Sequence, residues 1–137
     1  MRLKNYTDIP SDRIREIIRA VCPPGVTKFD VRVSNGQRFR GYAYHEGSGY
    51  HATADPFIVC AIPKHEHVVI KPYGAYLGMS LGSRLEQLVV LLSHEMRHLW
   101  QAKHTRGKVW GSRGRFSERD ADAYALRMLR RFRRGEL

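Results

Sequence analysis

The stretch that decides the fold of this chain is Ser93-His94-Glu95-Met96-Arg97-His98-Leu99-Trp100, inside a long apolar segment. Residues four apart on a helix lie on neighbouring turns of one face, about 40° apart around the axis. His94 and His98 can therefore present two imidazoles to one metal ion. Glu95 lies beside them and is offset enough to reach a water on the metal rather than the metal itself. The spacing predicts two metal ligands and a general base on one helix.

The flanking sequence predicts that this helix is buried. Ser83 is a suitable N-cap, and Glu86 at the third helical position completes a capping box, so the helix should run from about residue 84 to about residue 103. Apolar residues cover most of its circumference, which indicates a helix in the middle of the domain. Polar side chains without partners are costly in such a place, and a metal would satisfy the two histidines and the glutamate.

Two residues compete to be the third ligand that a catalytic zinc site usually has. His104 completes the spacing His94-x3-His98-x5-His104, which is that of the metzincin peptidases. Their glycine, which turns the chain back toward the metal, is replaced here by Gln101. A continuing helix carries His104 about 9 Å along the axis and about 120° around it. We therefore expect His104 to lie near the cleft, with metal ligation or oxyanion stabilisation as its alternative role.

Glu118 is the other candidate, on a last helix that Ser117 is expected to cap and that should end near Arg134. Glu118 and Asp122 are four residues apart along the edge of its apolar stripe, where two like charges are disfavoured. The pair is explained if Glu118 binds the metal and Asp122 accepts a hydrogen bond from a ligand histidine. The alternative is that both carboxylates interact with the dipole at the helix N-terminus.

His94-Glu95-x-x-His98 followed by Glu118-x-x-Ala121-Asp122 resembles the gluzincin zinc metallopeptidases, over residues 83–132. The resemblance implies Zn²⁺ bound by the two histidines and Glu118, and a polypeptide substrate hydrolysed by metal-activated water with Glu95 as general base. It implies a zincin-like α+β fold, with an N-terminal helix, a small and mostly antiparallel sheet, a buried active-site helix and a C-terminal glutamate helix. The length of 137 residues fits a single domain over residues 1–137.

The N-terminal part of the chain predicts a helix and several strands. Ser11 is a plausible N-cap for an amphipathic helix with an apolar stripe at Ile14, Ile17, Ile18 and Val21. Alternation from Phe29 to Val33 predicts a strand, and a three-residue loop with Gly36 in the left-handed conformation would pair Val33 with Gln37 and Val31 with Phe39. Further strands are expected at residues 57–62 and 67–71, and one of them should align an extended peptide by strand addition.

Composition and charge restrict the function less than the motifs do. Neither a signal peptide nor a membrane span is evident, and Cys22 and Cys60 form no CxxC motif, which favours reduced thiols in a cytoplasmic protein. The formal net charge is +11, and from Arg97 onward there are 12 Lys/Arg against 4 Asp/Glu. A nucleic acid or another polyanion could bind this basic C-terminal region, and a solvated helix face is the alternative.

Three other functions are compatible with parts of the pattern. A metal-dependent endoribonuclease would use the three histidines His94, His98 and His104, but would leave the acidic residues without a role. A nucleic-acid-associated protease of the SprT type shares HExxH, although the cysteines of a zinc ribbon are missing. A basic binding module would hold a structural zinc with four protein ligands.

A peptidase also needs a group that stabilises the oxyanion of the transition state. The candidates, which the sequence does not rank, are His104, Tyr73, Tyr76 and Tyr124.

Overall fold

The computed structural model describes residues 1–44, 56–104 and 115–137. The glycine-containing segments 46–49 and 105–116, which the sequence predicts to be loops, lie wholly or largely outside these ranges. The described elements, in chain order, are β1 (Leu3–Tyr6), α1 (Ser11–Val21), β2 (Asp30–Asn35), β3 (Arg40–Tyr44), β4 (Phe57–Ile62), β5 (Val68–Ile70), β6 (Met79–Leu81), α2 (Arg84–His104) and α3 (Arg115–Arg133). The predicted α+β class is confirmed.

The larger sheet is mixed, with the strand order β1-β2-β4-β3. β1 and β4 both run parallel to β2, while β3 is antiparallel to β4. β5 and β6 form a separate antiparallel pair. The prediction of a mostly antiparallel sheet is therefore wrong for the larger sheet. The reason is that α1 serves as the crossover between β1 and β2, and such a crossover brings consecutive strands together in parallel.

The predicted hairpin between β2 and β3 is also wrong, because β4 lies between these two strands. Val33 pairs with Asn5 on one side and with Cys60 on the other. The Gly36 N–H donates to the Ile62 carbonyl, and Gly36 is not among the described glycines with positive φ. The apolar β4 gains more burial in the middle of the sheet than at its edge, and this outweighs the local turn preference.

α1 and α2 pack on one face of the larger sheet, and α3 packs against α2. The stripe predicted for α1 is confirmed, with Ile14, Ile17, Ile18 and Val21 all buried. It meets the inward residues of β2 and β4 and the apolar side of α2, all of which belong to one hydrophobic core. α2 is buried along most of its length, as predicted, and α3 adds the buried residues Ala121, Tyr124, Ala125, Met128 and Leu129.

The helix ends agree with the sequence prediction only in part. At α2 the Glu86 N–H donates to Ser83 Oγ at 3.1 Å, so the predicted N-cap is confirmed, but the Glu86 carboxylate accepts from the Gly82 N–H. α1 has no side-chain cap, because the Ser11 hydroxyl instead accepts from Asn5 Nδ2. α3 begins at Arg115, which places Ser117 inside its first turn.

β1 and β6 were not predicted, because strands of four and three residues are too short for alternation to identify them. The predicted strand at residues 67–71 is present as the shorter β5. Both cysteines are free, with Cys60 buried and Cys22 half-buried. Within the described ranges, no helix combines the length and the apolar composition that a membrane span requires.

Candidate metal centre

Three potential metal ligands meet where α2 and α3 pack together. His94 and His98 project from successive turns of α2, and Glu118 projects from the first turn of α3. The two Nε2 atoms are 3.1 Å apart. Glu118 Oε2 lies 3.0 Å from His94 Nε2, and Glu118 Oε1 lies 3.1 Å from His98 Nε2. These atoms form a compact cluster that could hold a metal ion.

The distances fit a metal site. In a tetrahedral site with nitrogen and oxygen bonds of about 2.1 Å, the ligand atoms are separated by roughly 3.4 Å. The observed separations of 3.0–3.1 Å fall just short of that value. The rings of His94 and His98 are nearly perpendicular, at 80°, so each can direct its Nε2 to a common point.

The outer nitrogens of both rings have hydrogen-bond acceptors, and this fixes the tautomers. His94 Nδ1 donates to Asp122 Oδ1 at 2.9 Å, and His98 Nδ1 donates to Gln101 Oε1 at 2.8 Å. In the neutral ring the proton on Nδ1 leaves an unshared electron pair on Nε2. The unshared electron pairs of the two Nε2 atoms and the Glu118 carboxylate therefore face one another, and a cation would stabilise this arrangement.

Gln101 is a functional residue that sequence analysis did not identify. Its Nε2 donates to the Ser117 carbonyl at 2.8 Å and to Asp120 Oδ2 at 2.9 Å, so Oε1 is left to accept from His98. Asp120 is also paired with Arg97 at 2.8 Å. Gln101 is three residues after His98, and this spacing on one helix face is the signal that could have identified it.

Asp122 makes one hydrogen bond to His94 and a second to the backbone of the segment between β5 and β6. Its Oδ1 orients His94, as the sequence led us to expect, and its Oδ2 accepts the Leu77 N–H at 2.8 Å. The second bond fixes the segment between β5 and β6 against α3. Tyr76, the residue before Leu77, is thereby placed at the cleft with its ring centroid 6.4 Å from that of His94.

The charges of the cluster are strongly coupled. Burial disfavours the protonated ring of His94, but hydrogen bonds to Asp122 and Glu118 outweigh burial and raise its pKa to about 10. The pKa of His98 is raised for the same kind of reason, with Glu118 as its partner. Burial would raise the pKa of Glu118, but the two histidines outweigh it and lower that pKa. Protons and a metal ion therefore compete for the same ligand atoms.

Glu95 lies beside the cluster without being part of it. Its Oε1 is 4.0 Å from His94 Nε2, and only 8% of its side chain is exposed. Burial raises its pKa, although the neighbouring rings of His94 and His98 oppose that shift. A Cβ atom at Gly41 would lie 3.2 Å from Glu95 Cγ, so the backbone of β3 runs directly along this carboxylate.

The cluster and Glu95 open into a cleft of about 660 Å³. β3 forms one wall of this cleft, and α2 and the first turns of α3 form its base. Its apolar lining is Phe39, Ala43, Ile70, Val90, Leu91 and Ala102. An extended chain can therefore lie along β3 and pass the potential metal ligands.

The structure does not bring His104 to the cluster. His104 is exposed, its ring stacks on Trp100 with centroids 4.5 Å apart, and its Nδ1 donates to the Trp100 carbonyl. Its Cε1 instead lies close to Gly25. Of the three tyrosines considered, Tyr76 lines the cleft, Tyr73 is 83% exposed, and Tyr124 is buried with its hydroxyl donating to the Val21 carbonyl.

Comparison of the chain with protein-family models, curated proteins and solved structures gave no match. The resemblance to gluzincins therefore rests on two short motifs. The structure brings together the side chains of both motifs, because Glu118 and Asp122 of the second motif contact His94 of the first.

We expect Glu118→Ala to abolish metal binding, because it removes one of three ligands, whereas His104→Ala should bind metal as the wild type does. The measurement is metal content per chain by mass spectrometry after equilibrium dialysis against Zn²⁺ or Co²⁺. His104→Ala is the matched control, since it removes a nearby ring without touching the cluster. Loss of metal in His104→Ala with retention in Glu118→Ala would contradict the assignment.

Gln101→Leu should weaken metal binding by about 10-fold to 100-fold while keeping one metal per chain at saturation. The physical reason is that His98 Nδ1 loses its acceptor, so the ring is no longer held in the ligand orientation. The dissociation constant is measured by competition with a chelating dye. An unchanged constant in a folded variant would show that Gln101 does not orient the ligand.

Proposed function

We propose that this protein is a zinc-dependent endopeptidase of the gluzincin type with a zincin-like fold. The observation that carries the proposal is the position of Glu95, a buried carboxylate 4.0 Å from a ligand nitrogen that faces a substrate-sized cleft. Two imidazoles and one carboxylate are a ligand set typical of catalytic zinc, which keeps one position open. A structural zinc site is normally closed by four protein ligands, and the cluster in the described residues has three.

Bound zinc would polarise a peptide carbonyl and lower the pKa of water at its open position. Glu95 would take the proton of the attacking water and return it to the leaving amine. Its burial supports this role, because a carboxylate with a raised pKa is a stronger base than a solvated one. Asp122 and Gln101 hold the two ligand rings in the required tautomer while the proton moves.

The substrate is proposed to bind along β3. Among the described strands, β3 has β4 on one side only and so lies at the edge of the larger sheet, whereas β4 is central and has no free edge. An extended peptide can therefore add to β3 by backbone hydrogen bonds, with its side chains in the apolar part of the cleft. The close approach of Gly41 to Glu95 would bring the peptide backbone beside the general base.

Tyr76 is the residue we propose for stabilising the oxyanion that forms on the substrate carbonyl. It lines the cleft and belongs to the segment that Asp122 anchors. Burial and the nearby Glu118 carboxylate raise the pKa of Tyr76, so its hydroxyl remains a hydrogen-bond donor. A preorganised donor of this kind stabilises the transition state more than the ground state.

The endoribonuclease alternative is less well supported. It needs His104 as a third ligand, and His104 is exposed and stacked on Trp100 away from the cluster. It also gives no role to the buried Glu95 or to the hydrogen bond between Asp122 and His94.

Glu95→Gln should retain one zinc per chain and lose peptidase activity by at least about 100-fold, because the amide cannot accept the water proton. The assay follows the cleavage of an unfolded protein such as casein, with an RNA of mixed sequence tested in parallel. Cleavage by the wild type depends on zinc and should disappear with a chelator. Zinc-loaded wild type that cleaves no peptide bond, or a variant as active as the wild type, would contradict the proposal.

Tyr76→Phe should lower kcat by about 10-fold to 1,000-fold with little change in KM or zinc content, because it removes only a transition-state hydrogen bond. The matched control is Tyr73→Phe, which removes a hydroxyl from the same segment outside the cleft. If both variants have wild-type kcat, another donor must stabilise the oxyanion.

A further inference from the structure

The face of the larger sheet opposite to the helices is here called the outer sheet face. The registers define two rows across its four strands: Lys4, Arg32, Val59 and Tyr42 in one row, and Tyr6, Ser34, Ala61 and Arg40 in the next. The core residues of these strands, such as Val33 and Cys60, all belong to the opposite face. Within the described residues, no helix packs on the outer sheet face.

The side chains of this face combine exposed rings with exposed cations. Tyr6 is 58% exposed and Tyr42 is 39% exposed. The guanidinium of Arg32 lies 5.2 Å from the Tyr6 ring centroid, and that of Arg40 lies 4.8 Å from the Tyr42 ring centroid. Each tyrosine is therefore already oriented by a stacked arginine.

Among the described residues, the cations of the outer sheet face have no carboxylate partner. No carboxylate among the described residues lies within ion-pair distance of Lys4, Arg32 or Arg40. The register also places one carboxylate, Asp30, on this face, where it accepts a hydrogen bond from the Arg2 backbone N–H, so three cations stand against one anion. The face therefore presents a positive potential around its exposed rings.

We propose that the outer sheet face binds single-stranded nucleic acid, with bases stacking on Tyr6 and Tyr42 and phosphates contacting Lys4, Arg32 and Arg40. Single-strand binding proteins combine a cationic surface with rings that stack on bases, and four-stranded sheets with exposed aromatics serve this purpose in RNA-binding domains. Side chains two apart on a strand are separated by about 6.7 Å and adjacent strands by about 4.8 Å. The two rows thus form a flat surface suited to a few unpaired nucleotides.

The basic residues of α3 fit this ligand less well. Arg127 and Arg130 are exposed on one side of the helix, and they contribute to the basic C-terminal region that the sequence suggested as a polyanion site. The ring nearest to Arg127 belongs to Tyr124, which is buried. This side of α3 can attract phosphates, but its exposed Phe116 ring lies about 16 Å or more along the helix from Arg127 and Arg130 and does not stack beside them, so it serves as the control surface.

The test is fluorescence anisotropy with labelled oligo(dT) and oligo(U) of about 15 nucleotides in about 50 mM salt. A DNA duplex of equal length and heparin are the competitors. The full chain is used, and binding of the wild type should be competed more strongly by single strands than by duplex or heparin. The comparison of oligo(dT) with oligo(U) distinguishes DNA from RNA as the preferred strand.

Replacing both Tyr6 and Tyr42 with alanine should weaken binding by at least about tenfold, because stacking is lost. Replacing both with phenylalanine should preserve binding, since the rings remain. The matched control is Tyr73→Ala, which removes an exposed ring from another part of the surface. Thermal unfolding of each variant checks that the fold is intact. If the alanine pair is unstable, the phenylalanine pair still shows whether binding needs the rings rather than the hydroxyls.

Replacing both Arg32 and Arg40 with alanine should lower the slope of log Kd against log salt by about 1.4, the value for two lost phosphate contacts on a single strand. Replacing both Arg127 and Arg130 removes the same charge from α3 and should leave this slope unchanged. The proposal is overturned if the tyrosine-to-alanine pair binds as the wild type does, if duplex or heparin competes equally well, or if the α3 pair alone accounts for binding. Absence of wild-type binding in about 50 mM salt would also overturn it.

This inference does not depend on the peptidase proposal. Glu95→Gln should bind the oligonucleotides as tightly as the wild type, because Glu95 lies beneath the opposite face of the sheet. A protein that cleaves no peptide but binds single strands would refute only the proposed function, and the reverse result would refute only this inference.

Discussion

The interaction on which the rest of the structure depends is the convergence of two imidazole nitrogens and one carboxylate within 3.1 Å. Such groups are costly to bring together in a half-buried cleft unless positive charge compensates them. A metal ion or added protons can supply that charge, so metal binding should be linked to folding and to pH. Because the potential ligands come from both helices, the packing of α2 against α3 depends on how the charge of the cluster is compensated.

The residues that orient the ligands also hold neighbouring elements in place. Gln101 accepts from His98 and donates to the Ser117 carbonyl and Asp120, which connects the second ligand to the start of α3. Asp122 orients His94 and anchors the backbone at Leu77, which connects the first ligand to the segment that carries Tyr76. Ligand orientation and cleft shape therefore depend on the same few hydrogen bonds, and a change in one of these partners affects both.

The sequence predicted the parts of the site that follow from helical periodicity. His94 and His98 are one turn apart, as are Glu118 and Asp122, so their shared faces could be inferred without knowing the tertiary structure. The strand order could not be inferred, because the place of β4 between β2 and β3 depends on burial across the whole sheet. The contribution of β3 to the cleft follows from that order. The spacing of Gln101 from His98 places the two residues on one helix face, but the orientation of the Gln101 amide depends on its hydrogen bonds to the Ser117 carbonyl and Asp120 of α3, which the sequence does not reveal.

β3 links the two proposed functions through the alternation of a single strand. Gly41 faces inward and lies against Glu95, whereas its neighbours Arg40 and Tyr42 belong to the outer sheet face. Because the period of a strand is two residues, the position beside the proposed general base and the positions that carry the stacking groups are adjacent along β3, and Arg40 and Tyr42 also border the cleft. A protein bound to the same nucleic acid strand would then be held near the cleft at a raised effective concentration. Such tethering would favour cleavage of nucleic-acid-associated proteins without any additional contact in the cleft itself.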